Sequence, residues 1–391
     1  MELMVNMMIC IRKLFFILTV LAAVPGVSHA VVQCRAADGD WAPLTEAVNL
    51  GGKTITVLED IPVGYIVYQA KYIAPRATGL TCSGPYTELK AVKAPFSVNY
   101  ETTPLPLSSW THPSGGRVYQ TNVAGLGVAI GFTDKKPAPQ THSGVFDFTD
   151  TPEGKTTQNR GLGEAFYLTI IKTGPVAPGV INGASLPGIN VRVDQTPGVT
   201  GLPVKINFLS FTGQLTVRAP TCKTPDVTVN LGTHEISQKF KGKGSYTDWV
   251  SANIPFECPA IGFTGYYPAN NTSLTITGGG TLPAGTPTNN QLTLTLQPLN
   301  EVIDAANGIM SVDKAEGAAT GVGIQLGMPP RSAESGLPSG GNVDFSKPVI
   351  WNMPLTEYPI RWPLRARYIQ TADKVTPGPA NGKVVFTVNY K

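Results

Sequence analysis

Apolar and polar residues alternate with a period of two along much of the chain, and sustained helical periods of 3.6 residues are hard to find. Successive side chains of a strand point to opposite faces, so this alternation predicts strands with one buried face. The clearest runs are residues 128–132, 166–170, 189–193, 204–208, 227–231, 250–258, 292–296 and 384–390. The pattern predicts an all-β protein. Residues 300–308 fit a helical turn and a loop equally well.

Composition supports short strands joined by long loops. The 391 residues include 42 glycines and 34 prolines, and only 14% of the chain is charged, against about 25% in typical domains. This composition argues against coiled coils and charge-rich disorder. The formal net charge is only +4, and no dense cluster of Lys and Arg provides a face that would neutralise phosphates. We therefore expect no nucleic-acid partner.

The N-terminus has the pattern of a secretory signal peptide. Arg12 and Lys13 precede an apolar run, and the small-residue end Ser28-His29-Ala30 follows it. We expect residues 1–30 to be removed during export, so that the mature chain begins at Val31.

Four cysteines remain after the signal, and an even set in an exported chain indicates disulfides. Four cysteines allow three connectivities, and the wide gap between Cys82 and Cys222 favours two local pairs. We predict the pairs Cys34–Cys82 and Cys222–Cys258. No CxxC or HxxxH spacing supports zinc as the alternative, and we expect no metal or cofactor.

A domain boundary is predicted near residues 218–222, where a proline and a cysteine restart the pattern of a cysteine followed by strands. The prediction is two β-sandwich domains in series, residues 31–217 and 218–391.

The second domain resembles the pilin domain of chaperone–usher fimbriae. The matching segments are 222–232 (CKTPDVTVNLG), 320–326 (TGVGIQL), 366–371 (ARYIQT), 375–378 (VTPG) and 380–390 (ANGKVVFTVNY). The resemblance implies an incomplete immunoglobulin-like sandwich that lacks its final strand. A neighbouring subunit, or first a periplasmic chaperone, would donate the missing strand.

The whole chain resembles a two-domain tip adhesin of this family. Only Val31, Val32 and Gln33 precede Cys34, so we expect no donor strand there, and residues 119–122 (YQTN) and 125–128 (GLGV) resemble receptor-binding domains more loosely. The resemblance implies location at the fimbrial tip on the cell surface, after transit through the periplasm. The partners it implies are a periplasmic fimbrial chaperone, an outer-membrane usher, the next fimbrial subunit, and a host or surface receptor, which would be a glycan or a protein. A minor adaptor or initiation subunit without its own receptor is the alternative.

The terminal strand is the expected contact with the chaperone or subunit. Val384, Phe386, Val388 and Tyr390 would face the core, and the backbone of the free edge would pair with the partner strand. The resemblance implies that basic chaperone residues meet the carboxylate of Lys391. On alternation alone, the segment could also be the last strand of a complete sandwich.

A lectin-like first domain needs a polar pocket with aromatic walls, because sugars combine hydroxyl groups with apolar C–H faces. Tyr86 and Glu88 follow Cys82 at a position where mannose-binding members carry pocket residues, although Ser83-Gly84-Pro85 does not reproduce their acidic motif. The other candidates, from a loop rich in aromatic and polar residues and from the new N-terminus, are Val31, Trp110, His112, Arg117 and Tyr119. Core packing is the alternative role of Trp110 and Tyr119.

Catalytic motifs are lacking in the sequence. His112, His142 and His234 lie in no G-x-S-x-G elbow or metal pair, and the pair Asp147 and Asp150 is typical of a solvated turn rather than a glycosidase. We therefore expect a binding protein without catalytic residues.

Overall fold

The structure is a computed structural model that describes residues 31–132, 142–163, 165–258, 262–268, 275–277, 286–330, 340–353 and 360–391. Its regular structure is almost entirely β, which confirms the predicted fold class. The remaining elements of these residues are two four-residue helices, α1 (Tyr86–Leu89) and α2 (Ile236–Lys239), and two 3-10 turns, Gly39–Trp41 and Gly183–Ser185. The predicted signal peptide lies outside the described residues.

Residues 31–218, called here the first half, form sixteen described strands. They are β1 (Val32–Ala36), β2 (Leu44–Asn49), β3 (Thr54–Thr56), β4 (Ile66–Ile73), β5 (Thr78–Ser83), β6 (Lys93–Thr102), β7 (Tyr119–Gln120), β8 (Leu126–Phe132), β9 (His142–Asp147), β10 (Thr157–Leu162), β11 (Ala165–Lys172), β12 (Gly179–Asn182), β13 (Gly188–Val193), β14 (Val199–Thr200), β15 (Val204–Thr212) and β16 (Gln214–Arg218). Their sheets have the orders β10-β5-β1-β14, β4-β11-β8-β7, β12-β16-β3 and β2-β15-β13-β6-β9.

Residues 219–391, the second half, form twelve described strands. They are β17 (Val250–Ser251), β18 (Ile254–Phe256), β19 (Thr275–Thr277), β20 (Gln291–Pro298), β21 (Val302–Asp304), β22 (Ile309–Ser311), β23 (Val322–Met328), β24 (Gly341–Asn342), β25 (Val349–Asn352), β26 (Ile360–Trp362), β27 (Arg365–Gln370) and β28 (Val384–Tyr390). Their sheets have the orders β17-β27-β23-β22-β21, β18-β26 and β25-β20-β28, and β24 pairs with β23.

Aromatic side chains fill the core of each half. In the first half, the ring of Phe132 lies 5.1 Å from that of Phe166 and 6.4 Å from that of Phe96. In the second half, the rings of Trp351 and Trp362 meet edge to face at 5.8 Å. Burial of large aromatic side chains of this kind dominates core stability.

Both disulfides join the residues that the sequence analysis pairs. Cys34 is bonded to Cys82, its directly opposite neighbour in the β1–β5 ladder. Cys222 is bonded to Cys258, and the residues after and before them, Lys223 and Glu257, form a β-bridge. Each half of the chain therefore contains its own cross-link.

The strand predicted at residues 227–231 does not form, so this prediction was wrong. The segment runs without strand hydrogen bonds, although half-buried Val229 and buried Leu231 still alternate with exposed Thr228 and Asn230. The alternation therefore reports which side chains are buried, and it does not require a neighbouring strand.

Residues 250–258 form two short strands instead of the single predicted one. β17 pairs with β27 and β18 pairs with β26, so the chain passes from one sheet to another within this segment. Between them, the side-chain oxygen of Asn253 accepts a hydrogen bond from the backbone of Leu364 at 3.3 Å. Residues 300–308 contain strand β21 and the turn that leads to β22, in which Asn307 donates to the carboxylate of Asp304.

The two halves of the chain contact each other. β19 of the second half pairs in parallel with β4 of the first, and every other described strand ladder stays within one half. Tyr65 packs against Tyr266 with ring centroids 5.8 Å apart. The side chain of Asn290 donates to the carbonyl of Thr56 at 3.1 Å. These contacts bring the 56–73 segment of the first half against the second half.

Candidate functional site

The terminal strand β28 pairs with β20 along its whole length, from Tyr390 opposite Leu292 to Val384 opposite Pro298. Because β28 ends the sheet order β25-β20-β28, its other edge has no strand beside it within the described residues. It is therefore an edge strand, as the sequence analysis expects.

The hydrogen-bond register shows which backbone groups face the open edge. Lys391 exchanges two backbone hydrogen bonds with Gln291, and Leu299 donates to Lys383 at the other end of the ladder. Hydrogen-bonded pairs alternate along an antiparallel ladder, so the backbone N–H and C=O groups of the odd-numbered residues of β28 point towards β20. The N–H and C=O groups of Val384, Phe386, Val388 and Tyr390 therefore point away from β20.

The side chains of these same four residues are half-buried and pack against the core of the second half. Val385 and Thr387, between them, are exposed. The open edge thus combines unpaired backbone groups with an apolar row that is only partly covered. An edge of this kind is a template for a further strand.

Asp60 of the first half occupies one end of this open edge. The backbone N–H of Asp60 donates to the carbonyl of Tyr390 at 2.9 Å, and the carboxylate of Asp60 accepts from the N–H of Tyr390 at 2.6 Å. The phenol of Tyr390 donates to the carbonyl of Cys222 at 3.3 Å. Burial raises the pKa of Tyr390, and the charge of Asp60 raises it further. The part of the edge left open is therefore Val384 to Val388.

A second candidate site is a surface cleft of about 460 Å³ in the first half. Val31, Glu88 and Lys93 line it together with residues of the segment 196–199. These residues meet because β14 runs parallel to β1, with Val199 opposite Val32. The volume lies in the range of small-ligand sites, about 300–1,000 Å³.

Charged groups stand at the border of this cleft. The ammonium of Lys93 lies 3.4 Å from the carboxylate of Asp147. The backbone N–H of Thr149 donates to Asp147 at 2.9 Å, and this bond is the main cause of the lowered pKa of Asp147. Lys93 and Glu88 give the cleft both a hydrogen-bond donor and an acceptor for polar ligand groups.

The candidate residues from the sequence do not form one pocket. Val31 and Glu88 line the cleft, and Tyr86 lies on the same helix as Glu88, half-buried, with the ammonium of Lys90 5.8 Å from its ring. The loop that follows the last residue of β6 contains three other candidates, Trp110, His112 and Arg117. The first residue of β6, Lys93, lines the cleft. A ten-residue strand is about 30 Å long, so the two groups are well separated.

The loop group packs against other residues of the first half. Trp110 contacts a small buried cluster that includes Val118 and Ile171, and its ring lies beside Gly64. The ring of His112 meets that of Trp110 at 5.7 Å. The backbone N–H of Ser114 donates to Nδ1 of His112 at 3.1 Å, and burial lowers the pKa of His112. These contacts favour a neutral imidazole.

Tyr119 lies in the core. It is only 6% exposed, and its ring packs against that of Tyr100 at 4.8 Å. The structure therefore favours the packing role for Tyr119, and Trp110 is likewise largely engaged in packing contacts.

Eight of the cleft-lining residues were not predicted from the sequence: Val32, Ala91, Val92, Lys93, Thr196, Pro197, Gly198 and Val199. They come from three segments far apart in the chain, so no local motif joins them. The adjacent Pro197 and Gly198 were the available signal, since such a pair marks a turn at the surface.

No group of three or more His, Cys, Asp or Glu side chains among the described residues is arranged to hold a metal ion. No helix in the described part of the chain is long and apolar enough to cross a membrane.

Comparison with known families identifies the second half. Residues 209–391 match the model of the family described as "Fimbrial protein". This part of the chain is therefore similar to fimbrial proteins. The resemblance of the second half to fimbrial subunits is thereby confirmed. No curated protein matches the chain.

Among solved structures, three adhesins are similar to the chain. The CupB6 tip adhesin from Pseudomonas aeruginosa is 14% identical, with 92% of this chain and 94% of that chain covered and a TM-score of 0.29. The receptor binding domain of the adhesin MrkD1P from Klebsiella pneumoniae is 16% identical over 49% of this chain and 98% of that chain, with a TM-score of 0.31. CfaE, the adhesive subunit of CFA/I fimbria of enterotoxigenic Escherichia coli, is 12% identical over 90% and 98%, with a TM-score of 0.22.

Proposed function

We propose that the protein is a fimbrial tip adhesin of the chaperone–usher type. Its fimbrial domain joins the fimbria by accepting a strand from the next subunit, and its first half binds a receptor on a host or other surface. The open edge of β28, within a segment that matches the fimbrial family, is the observation that carries this proposal.

The unpaired backbone groups and the partly covered apolar row of the open edge support strand acceptance. The N–H and C=O groups of Val384, Phe386 and Val388 have no strand partner among the described residues, and their side chains are half-buried. A donated strand would complete the backbone ladder and cover the apolar row in one step. During export a periplasmic chaperone would occupy the same edge, with the carboxylate of Lys391 near its basic residues, before the usher exchanges it for a subunit.

The first half is suited to receive a ligand rather than to donate a strand. Strand β1 is paired on both sides, with β5 and with β14, and Cys34 within it is disulfide-bonded. It therefore cannot leave its sheet to complete a neighbour without breaking two ladders. We propose a domain boundary at residues 217–218, with residues 31–217 as the receptor-binding domain.

The cleft is the receptor site that the geometry supports best. Glu88 and Lys93 supply an acceptor and donors, and Val31 and Val199 supply apolar surface. Fixed polar partners beside apolar walls match the hydroxyl groups and C–H faces of a sugar, so we propose a glycan as the ligand. This is a binding site without a catalytic role.

The test uses the full exported chain on an array of glycans and matrix proteins. We expect saturable binding to a glycan, weakened at least tenfold by Glu88→Gln or Lys93→Gln. Trp110→Ala is the matched control, because Trp110 lies beyond the other end of β6 and its replacement should leave binding unchanged. Absence of binding by the folded chain would favour the alternative role, a fimbrial adaptor without its own receptor. Binding weakened by Trp110→Ala alone would move the site to the loop at residues 103–118.

A further inference from the structure

A row of aromatic and cationic side chains lies on the second half of the chain, away from the edge of β28. The segment 239–249 runs beside β27, with the N–H of Thr247 donating to the carbonyl of Tyr368 at 3.0 Å and that of Gly244 to Gln370 at 2.9 Å. This pairing places Tyr246 and Trp249 against side chains of β27. Arg365 and Arg367 are two residues apart on that strand and so share one face of it.

The four side chains form a stacked group, called here the cation–aromatic cluster (Tyr246, Trp249, Arg365 and Arg367). The guanidinium carbon of Arg367 lies 3.6 Å from the ring centre of Tyr246 and 4.2 Å from that of Trp249. The guanidinium carbon of Arg365 also lies 4.2 Å from the ring centre of Trp249. Arg367 thus contacts both aromatic rings, and Tyr246 remains 56% exposed.

A buried glutamine holds Arg367 in place. The side-chain oxygen of Gln325, which is 3% exposed, accepts a hydrogen bond from Nε of Arg367 at 2.8 Å. The side-chain amide of Gln325 donates in turn to the carbonyl of Asn307 at 3.0 Å. The guanidinium is therefore fixed by one bond and two ring contacts. A fixed, planar guanidinium is suited to bind an oxyanion through its remaining N–H groups.

No carboxylate within the described residues forms an ion pair with either arginine of the cluster. Exposed Lys241 and Lys243, on the same segment as Tyr246, also form no ion pair with a described carboxylate, whereas Lys239 is paired with Asp248 at 3.0 Å. Burial lowers the pKa of Arg367, the interaction with Tyr246 opposes this shift, and the charge of Arg365 lowers the pKa further. Like charges so close together are relieved by an anion.

We propose that the cation–aromatic cluster, together with Lys241 and Lys243, is a second binding site, for a sulfated or carboxylated saccharide. The acidic group would bind to the guanidinium of Arg367 and the nearby ammonium groups. A sugar ring would pack its C–H face on the exposed ring of Tyr246. The site lies in the second half of the chain, so it goes beyond the receptor site proposed above.

A saccharide fits this surface better than a nucleic acid does. A duplex is held by many phosphate contacts along an extended basic face, and here four cations lie within one short region of a chain with a net charge of only +4. The exposed phenol ring beside them matches a compact ligand with an apolar face.

The test measures binding of the full chain to heparin, a sulfated saccharide probe, at about 150 mM salt, with uncharged dextran as the reference polymer. We expect saturable binding to heparin and none to dextran. Arg367→Gln and Tyr246→Ala should each weaken heparin binding about tenfold, because one removes a charge-assisted contact and the other removes the stacking surface. Lys155→Gln, which removes one exposed charge from the first half, is the matched control and should change the affinity less than twofold.

Replacement of a stacked residue can also destabilise the fold, so a second variant tests binding without changing the stacked residues. Lys241→Gln combined with Lys243→Gln changes only exposed side chains, and it should also weaken heparin binding about tenfold while the unfolding midpoint stays the same. Unchanged heparin affinity in this double variant would overturn the proposal. An equal loss in Lys155→Gln, or equally tight binding of duplex DNA, would also overturn it, since either result shows attraction to any polyanion. None of these outcomes depends on the cleft of the first half.

Discussion

Two tyrosines that were candidate pocket walls from sequence have different surroundings in the structure. Tyr119 is buried against Tyr100, whereas Tyr86 is half-buried on the four-residue helix α1. Truncation of a buried aromatic side chain costs about 3–5 kcal/mol of unfolding free energy, because contacts and apolar burial are lost together.

We therefore predict that Tyr119→Ala lowers the free energy of unfolding by about 3–4 kcal/mol. Tyr86→Ala is the matched control, and its loss should stay below about 1 kcal/mol. Urea unfolding followed by intrinsic fluorescence would measure both. Similar losses for the two variants would contradict the core position of Tyr119.

His112 provides a prediction about pH. Burial lowers its pKa below the ordinary value of 6.5, and its Nδ1 accepts a hydrogen bond from the backbone of Ser114. Between the lowered pKa and 6.5 the unfolded chain binds more protons than the folded chain, so this residue makes stability rise with pH across that interval. On acidification the stabilising effect is lost as the pH falls through the interval.

The measurement compares the wild type with His112→Ala by urea unfolding at several pH values from 7.5 to about 5. The difference in unfolding free energy between the two proteins should be largest near neutral pH and should shrink as the pH falls below 6.5. A difference that does not vary with pH would show that the imidazole is not held in its neutral form.

At the scale of elements, β28 allows a test that separates folding from partner binding. The N–H of Val388 faces the open edge, whereas the N–H of Thr387 faces β20. Proline removes the N–H, and edge strands tolerate it where that N–H faces outward. Proline at position 388 should therefore affect partner binding, whereas proline at position 387 should affect folding.

We predict that Val388→Pro leaves the chain folded, with a loss of at most about 1 kcal/mol, and abolishes pairing with a donated strand. Thr387→Pro should instead destabilise the domain by about 3 kcal/mol, because it breaks a hydrogen bond to β20. Circular dichroism melting of the full chain and co-purification of its chaperone or of the next subunit provide the two readouts. If Val388→Pro still binds its partner normally, the partner does not use this edge.

The prediction of elements succeeded where the pattern depends on local burial. β28 and β20 have apolar rows that face a core, and such rows are visible as alternation. β8 and β11 were also predicted, although both are buried on both faces. The segment 227–231 has the same alternation, yet no strand of the described part of the chain pairs with it. The alternation of apolar and polar residues does not show whether a neighbouring strand is present, because the hydrogen-bond partners of a strand come from distant segments.

The candidate site illustrates the same limit. The edge residues from Val384 to Tyr390 were predicted from one continuous segment. The cleft, in contrast, joins Val31 and Glu88 to the segment 196–199 through the parallel pairing of β1 with β14. Contacts of this range depend on topology, so sequence could indicate Val31 and Glu88 only through a family resemblance.

At the scale of the whole molecule, Asp60 connects the two halves at the end of the open edge. Its carboxylate accepts from the N–H of Tyr390 at 2.6 Å, across a sequence separation of 330 residues. A donated strand that extended beyond Val388 would have to displace this contact. The first half therefore sets how far along β28 a partner strand can pair.

We predict that Asp60→Ala releases this end of β28. A hydrogen bond to a charged acceptor contributes about 1.5–3 kcal/mol, so amide exchange of Tyr390 should accelerate at least about tenfold in the variant. Hydrogen–deuterium exchange of the full chain, with C-terminal peptides resolved by mass spectrometry, measures this directly. Glu59→Ala is the matched control, because it removes the same charge from the adjacent exposed residue. In this variant the amide exchange of Tyr390 should match that of the wild type. Equal acceleration in both variants would mean that net charge, and not the contact between the halves, protects the end of the strand.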